Sequence, residues 1–309
     1  MDDRVIRAIT VDGSFRVITA CTTTLVREAI RVRNQKDLVG DLARTYGELL
    51  TGAILVRETM APGQRVQAIL SRAGQGQMIA DSHPDDGDGS ALTRGLFNRS
   101  QTLPKTQLEP AGSLAPQGPV SAVQATMLGE GSILKVIRSL PRGRIHQSIV
   151  EASASGMSAA LMGYMQESEQ VTATLVVATV MREGEVVASG GFIVQLLPEV
   201  TDGPLAVMTE RLAHDFVDLD RFLLEHGADP RVLKDELLYG MPHADLAESK
   251  LRHGCDCSEE RVLTAIATLG RDEVASIVAQ GEVISITCEY CQTPWVLGSD
   301  RLRSLLTPN

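Results

Sequence analysis

Cys255-Asp256-Cys257-Ser258-Glu259-Glu260, and then Cys288-Glu289-Tyr290-Cys291 after thirty intervening residues that follow Cys257, is the stretch that organises this chain. Two close thiol pairs joined by a spacer able to fold back meet the need of a tetrahedral thiolate site, because each pair supplies two ligands from one tight turn. The spacer has the signals to fold back. Ser258 is placed to cap a helix with Glu259 and Glu260 in its first turn, and Gly270 is placed to stop it. Asp272 and Gly281 bracket a second short helix. Val283 to Thr287 alternates like a strand, Cys288 to Cys291 makes a tight turn, and Trp295 to Leu297 can return as the strand's partner. A module of residues 251–309 is too small to rely on burial alone, and domains of that size often need a metal or disulfide staple.

Upstream, the character changes. Thr201 to Lys250 holds eleven acidic residues against five basic ones, yet Leu205, Met208, Leu212, Phe216, Leu219 and Leu223 continue an apolar stripe at helical spacing. Asp229-Pro230 opens another helix, with Asp as the cap and Pro in the first turn. Residues 200–250 therefore read as a marginally stable helical linker. Further upstream, Val5 to Cys21 reads as two strands turning at Asp12-Gly13, followed by helical spacing from Thr24 to Arg33 and from Leu38 to Glu58. Gln64 to Ile79 is strand-like, Asp81 to Ser90 a polar turn cluster, and Leu103 to Pro119 a proline-rich loop. The run Asp85-Asp86-Gly87-Asp88-Gly89 lacks the acidic twelfth position of a calcium loop. Ile133 to Ile137 and Leu175 to Ala178 read as buried strands flanking a helix around Ser158 to Glu169. The fold class is thus α+β: a larger N-terminal α/β sandwich-like core over residues 1–199, a helical linker, and a small C-terminal zinc-binding domain.

Composition narrows the function. Hydrophobic residues make up 43% of the 309, ordinary for a globular chain of two domains. The net charge of −10 argues against nucleic acid as the main partner, because phosphate neutralisation needs clustered Lys and Arg. The terminal module is itself acidic, with five Arg and no Lys against eight Asp and Glu. No stretch approaches the ~18 uninterrupted apolar residues of a membrane span, and the start, Met1-Asp2-Asp3-Arg4, is acidic rather than apolar. The chain reads as cytoplasmic, where clustered thiols stay free for metal or redox work.

Zinc suits four thiolates best, since it accepts a closed tetrahedron with no geometric preference to violate. An iron–sulfur cluster and two permanent disulfides are the competitors. The plain role is a staple. The sharper one is a removable staple, because a sulfur bound in a disulfide is no longer a thiolate ligand, and oxidising either close pair removes two ligands at once. A thiol–disulfide oxidoreductase using Cys288 and Cys291 is the alternative function, although no thioredoxin-like βαβ context surrounds that pair. Other enzyme readings fail: Gly129-Glu130-Gly131 lacks the third glycine of a dinucleotide loop, and the six histidines offer no metal pair at helical spacing. His253 is a solvated flank, and Cys21 a packing residue in an apolar strand.

These residues resemble the zinc module of the 33-kilodalton heat-shock chaperones, the redox-switched holdases. The resemblance rests on Cys255 to Val262, Leu269-Gly270, Glu273 and Cys288 to Cys291. It extends to Tyr164, Ser168-Glu169-Gln170, Gly190-Gly191, Gln195, Leu197-Pro198, Arg7 to Thr24 and Arg94-Gly95, nearly the whole chain, while residues 81–119 match weakly. Tyr290 stands where Phe is usual, and Trp295 near a usual Tyr. The resemblance implies a non-enzymatic, ATP-independent chaperone, inactive while Cys255, Cys257, Cys288 and Cys291 hold Zn²⁺. Oxidation would form the disulfides Cys255–Cys257 and Cys288–Cys291, release the zinc, and unfold the terminal domain and linker. The N-terminal core would bind unfolded clients and dimerise on activation, handing clients later to ATP-dependent foldase chaperones.

Overall fold

A computed structural model of the chain describes residues 2–32, 38–85, 90–99, 126–281 and 283–306. The α+β organisation expected from the sequence is present. Its first elements are β1 (Arg4–Thr10), β2 (Phe15–Cys21), α1 (Thr23–Val32) and α2 (Asp41–Glu58). At the β1–β2 turn, Gly13 takes a positive φ of 72°, and Asp12 accepts from the backbone N–H and the hydroxyl of Ser14.

The centre of the fold is α2. Of its residues only Asp41, Arg44, Glu48 and Arg57 are not buried, the pattern of a helix enclosed on every side rather than laid on a surface. It is enclosed by a ten-stranded sheet that adds β3 (Val66–Arg72), β4 (Gly76–Pro84), β5 (Ala91–Arg99), β6 (Ser132–Ser139), β7 (Ile145–Glu151), β8 (Ala173–Arg182), β9 (Glu185–Leu196) and β10 (His243–His253). The strand order is β7-β6-β3-β4-β5-β10-β1-β2-β9-β8. Because α2 packs against β3, β4 and β5 from one half and β2, β8 and β9 from the other, the sheet must curl around it. Tyr46, Leu49, Leu50, Ile54 and Leu55 form the middle of this core. Helix α3 (Met157–Ser168) completes it against α2, β7 and β8.

Several glycines are what permits this closeness. A Cβ on Gly191 would sit 2.5 Å from the Val176 carbonyl oxygen, and one on Gly190 would sit 2.6 Å from that of Ala20. Gly95 lies against the Tyr46 ring in the same way. The Gly190-Gly191 and Arg94-Gly95 pairs thus serve strand and helix approach.

Two sequence expectations change. Residues 81–84, read as the start of a turn cluster, belong to β4, where Asp81 is fully buried. Its carboxylate accepts from Arg65 Nε at 2.6 Å and from Arg94 Nε at 2.9 Å, and this pairing with two guanidiniums is what lets a polar strand segment enter the interior. Residues 86–89 and the proline-rich stretch 103–119 lie outside the described residues.

The second change concerns the linker. It contains three helices, α4 (Asp202–His214), α5 (Leu219–His226) and α6 (Pro230–Leu237), but residues 243–250 are extended in β10, not helical. Strand β10 pairs antiparallel with β1, and its last residues pair in parallel with Ala91–Thr93 of β5. It therefore joins the two halves of the sheet, and β1 has no open edge. The apolar stripe is also broken in two, because Asp218 caps α5 by accepting from the Arg221 N–H. Asp229 caps α6 as expected. The three helices and the α4–α5 connection bury Met208, Phe216, Leu219, Leu223, Leu233 and Leu237 against the outer face of β1, β2, β8 and β9. Acidic residues of β10 pair with α6: Asp245 with Lys234 at 2.7 Å, Glu248 with Arg231 at 2.8 Å.

The chain forms two compact units, the first ending at His253 and the second beginning at Gly254. The second holds α7 (Glu259–Ala267), α8 (Arg271–Gln280), the hairpin of β11 (Ile284–Thr287) and β12 (Pro294–Leu297), and α9 (Ser299–Arg303). Ile266, Val274, Leu297 and Leu302 are its buried apolar residues.

Candidate metal centre

Each cysteine pair is set in place by an ordinary local device. Cys255 and Cys257 lie on the segment entering α7, which begins at once because the Ser258 hydroxyl accepts from the Arg261 N–H at 3.3 Å. Cys288 and Cys291 lie on the loop of the β11–β12 hairpin, whose register pairs Thr287 with Pro294. That loop is closed by the Cys288 N–H donating to the Thr293 carbonyl at 3.0 Å and the Gln292 N–H to the Cys288 carbonyl at 2.8 Å. Gln292 takes a left-handed φ of 60° to make the turn.

The two devices bring four sulfurs together. Cys255 Sγ lies 3.7 Å from Cys288 Sγ, and Cys257 Sγ lies 3.4 Å from Cys291 Sγ. All four fall within 4.8 Å of one another, and all are free thiols. A tetrahedron of ~2.3 Å Zn–S bonds sets its sulfurs about 3.8 Å apart, so the donor set fits such an ion in number, chemistry and spacing. Among the described residues this is the group able to hold a metal. His253, two residues before Cys255, belongs to β10 and is not in it.

Crowded thiols cannot ionise alike. Burial, with the neighbouring Cys291 and Cys255 thiols, pushes Cys257 well above the ordinary thiol range. Burial also raises Cys291, but Thr293, through its hydroxyl and backbone, and the Cys257 and Cys288 thiols outweigh it, leaving Cys291 lowered to about 7. A bound cation would take the place of the shared protons and hold all four as thiolates.

Thr293 is the residue sequence reading missed. Its hydroxyl lies 3.2 Å from Cys291 Sγ, and its place two residues after that cysteine was the available signal. Arg261 pairs with Asp256, fixing the short segment between the first two thiols. Cys21 is elsewhere: buried in β2 beside Asp3, its thiol is pushed up to about 11 by that burial and by the carboxylate, as suits a packing residue. Tyr164, at the end of α3, donates to Glu169, which pairs with Arg138 at 2.6 Å; the Ser168-Glu169-Gln170 run is helix-end structure.

No helix among the described residues is long and apolar enough to cross a membrane. A family model described as Hsp33 protein matches residues 3–297. The chain is 29% identical over 307 residues to the 33 kDa chaperonin of Syntrophotalea carbinolica, covering 99% of this chain and all of that one. It is 30% identical to the 33 kDa chaperonin of Citrifermentans bemidjiense, over 94% of this chain and 92% of the relative. In fold it resembles the crystal structure of the 33 kDa chaperonin of Thermotoga maritima, with a TM-score of 0.73 at 19% identity over 99% of this chain and 98% of that one. With the family model matching residues 3–297 and the 33 kDa chaperonins aligning over nearly the whole chain, the chain belongs to the Hsp33 chaperone family.

Proposed function

We propose that this chain is a redox-regulated, ATP-independent holdase for unfolding proteins, with Zn²⁺ on Cys255, Cys257, Cys288 and Cys291 in its reduced, inactive state. The observation that carries the reading is the convergence of the four sulfurs within 4.8 Å in a unit that buries few apolar side chains of its own. Metal-coupled folding is worth ~10–16 kcal/mol in small zinc peptides, so the ion rather than the core holds such a unit together.

Oxidation is the trigger in this reading. Cys255 with Cys257, and Cys288 with Cys291, each give two electrons to one peroxide; because zinc-bound thiolates carry no protons, two protons come from solvent, and each pair yields one disulfide and two waters. The metal then has no thiolates left. Residues 251–309, as the switch domain, would lose their organiser, and the linker of residues 200–250 would loosen at its helices. The apolar face of β1, β2, β8 and β9, covered by α4, α5 and α6, would then become available to clients on the core of residues 1–199. Homodimerisation would accompany full activation, and ATP-dependent foldases would take the clients onward.

Peroxide treatment under mildly unfolding conditions tests the reading, with metal release, free thiols and suppression of client aggregation followed on the same samples. The expected result is release of one zinc per chain together with appearance of holdase activity. Oxidised protein that has formed both disulfides and still lets the client aggregate would refute it.

A further inference from the structure

The C-terminal end of α2 carries a charge arrangement that the chaperone reading does not use. Two guanidiniums, Arg7 and Arg57, meet at one carboxylate, Glu58, and a third, Arg16, lies beside them at the helix end. Glu58 is 4% exposed and Arg57 10%. Glu58 Oε2 accepts from Arg7 Nη1 at 3.0 Å, and Oε1 accepts from Arg57. Arg16 is turned to the helix end, donating to the carbonyls of Glu58 at 3.1 Å and Thr59 at 3.3 Å. Beside them lies a cavity of about 140 Å³, lined by Arg7, Arg57, Glu58, Gly63, Gln64 and Ser249 among others.

The balance of charge does not close. The charges facing Arg57 are Glu58 and Arg7, and those facing Arg16 are Arg7 and Glu58. One carboxylate and the weak negative end of a helix thus answer three cations. Buried ionic groups persist when they are matched and fully hydrogen-bonded. Among the described residues Nε of both Arg7 and Arg57 is buried without a partner, and Arg7 pairs with Glu58 and donates to the Ser249 hydroxyl. Burial, and the Arg7 charge beside it, hold the Arg57 guanidinium below its ordinary range despite Glu58. A surplus of fork-shaped donors on a cavity that also offers a hydroxyl and an amide is the chemistry that recognises tetrahedral oxyanions.

We propose that this cavity, between the end of α2 and β10, is a binding site for a phosphate-type oxyanion. The anion would take Arg7 and Arg57 as charged donors, with Ser249 and Gln64 as neutral ones. Glu58 would orient the two forks while competing with the anion for them, and it therefore sets the affinity.

Isothermal titration of the reduced, metal-loaded full chain with inorganic phosphate tests this, with chloride at matched ionic strength as the reference and ATP as a second titrant. Saturable binding of one phosphate per chain is expected, and the ATP arm tells a free ion from a nucleotide's terminal phosphate. Arg7→Gln should weaken binding about tenfold, the loss of one charge-assisted hydrogen bond. Glu58→Gln should tighten it about tenfold, because it removes the competitor and keeps the side-chain shape. A purely structural ion cluster would lose stability in Glu58→Gln without any gain in phosphate affinity. Phosphate heats no different from chloride, or equal affinity in wild type, Arg7→Gln and Glu58→Gln, would overturn the proposal. If a variant fails to fold, the wild-type comparison of phosphate with chloride decides alone.

Discussion

The sheet-and-helix unit ending at His253 and the unit beginning at Gly254 are stabilised in different ways. The first encloses an 18-residue helix with Tyr46, Leu49, Leu50, Ile54 and Leu55 all at 0% exposure, and burial on that scale carries a fold by itself. In the second, a short hairpin and three short helices bury Ile266, Val274, Leu297 and Leu302, and four thiols converge where the hairpin loop meets the approach to α7. Where apolar area is scarce, ligand bonds have to replace it. The difference teaches that, with a metal bound as proposed, the two units can fail independently, one by losing packing and the other by losing its ligands.

The sharpest way to break this contrast is to remove the metal. Chelation of the reduced protein, or Cys257→Ser, should withdraw on the order of 10 kcal/mol from the second unit. Amide exchange should then show protection lost from α7 to α9 and retained in α2. If protection in α7 and α8 survived chelation, the apolar core of that unit would be sufficient and the comparison would fail.

A smaller effect separates the covering helices from the enclosed one. Phe216, 3% exposed, packs edge-on against Phe192 at a centroid distance of 5.6 Å. Phe216→Ala should cost about 3–5 kcal/mol, felt first as faster exchange in α4 and α5. In the proposed function the same variant should suppress client aggregation without oxidant. Loss of α2 protection at the same denaturant concentration would show that the cover and the core are one cooperative block.

The smallest effect is on pH dependence. Glu48, on α2, is raised to about 7 by burial, only partly offset by Arg44, whose Nε is 3.7 Å away. Between the unfolded value near 4.5 and the folded one near 7, the folded chain binds the extra proton. Stability from this group is therefore present at low pH and lost as pH rises through 7. The loss is no more than about 3 kcal/mol. Glu48→Gln should raise the melting point at pH 8 and leave it nearly unchanged at pH 4.5. An equal shift at both pH values would mean that Glu48 titrates normally in the folded chain.

Much of this could be read along the chain because its causes are local. Ser258, Asp229 and Gly281 mark helix ends that any neighbourhood would respect, and Gly281 does take the left-handed cap with φ 67°. Gly270 was read as a stop but serves as the residue before α8, since a glycine with φ 98° suits either role. The thiol spacing was legible for the same reason: two tight turns and a spacer with helix signals leave few ways to fold. What escaped was decided by partners distant in sequence. Asp81 looks like a turn residue until Arg65 and Arg94 reach it, and His243 to Lys250 looks like linker until β1 offers it a ladder.

By itself, then, the sequence determined that Cys255, Cys257, Cys288 and Cys291 form a four-thiol cluster able to hold a metal, along with the α+β class and the small size of the terminal core, because residue chemistry and short-range turns suffice for each. Only the tertiary structure decided that one sheet curls around α2, that β10 joins its halves, and that Arg7 and Arg57 share Glu58. These depend on which distant segments satisfy one another's hydrogen bonds and apolar faces, and no local pattern encodes that choice.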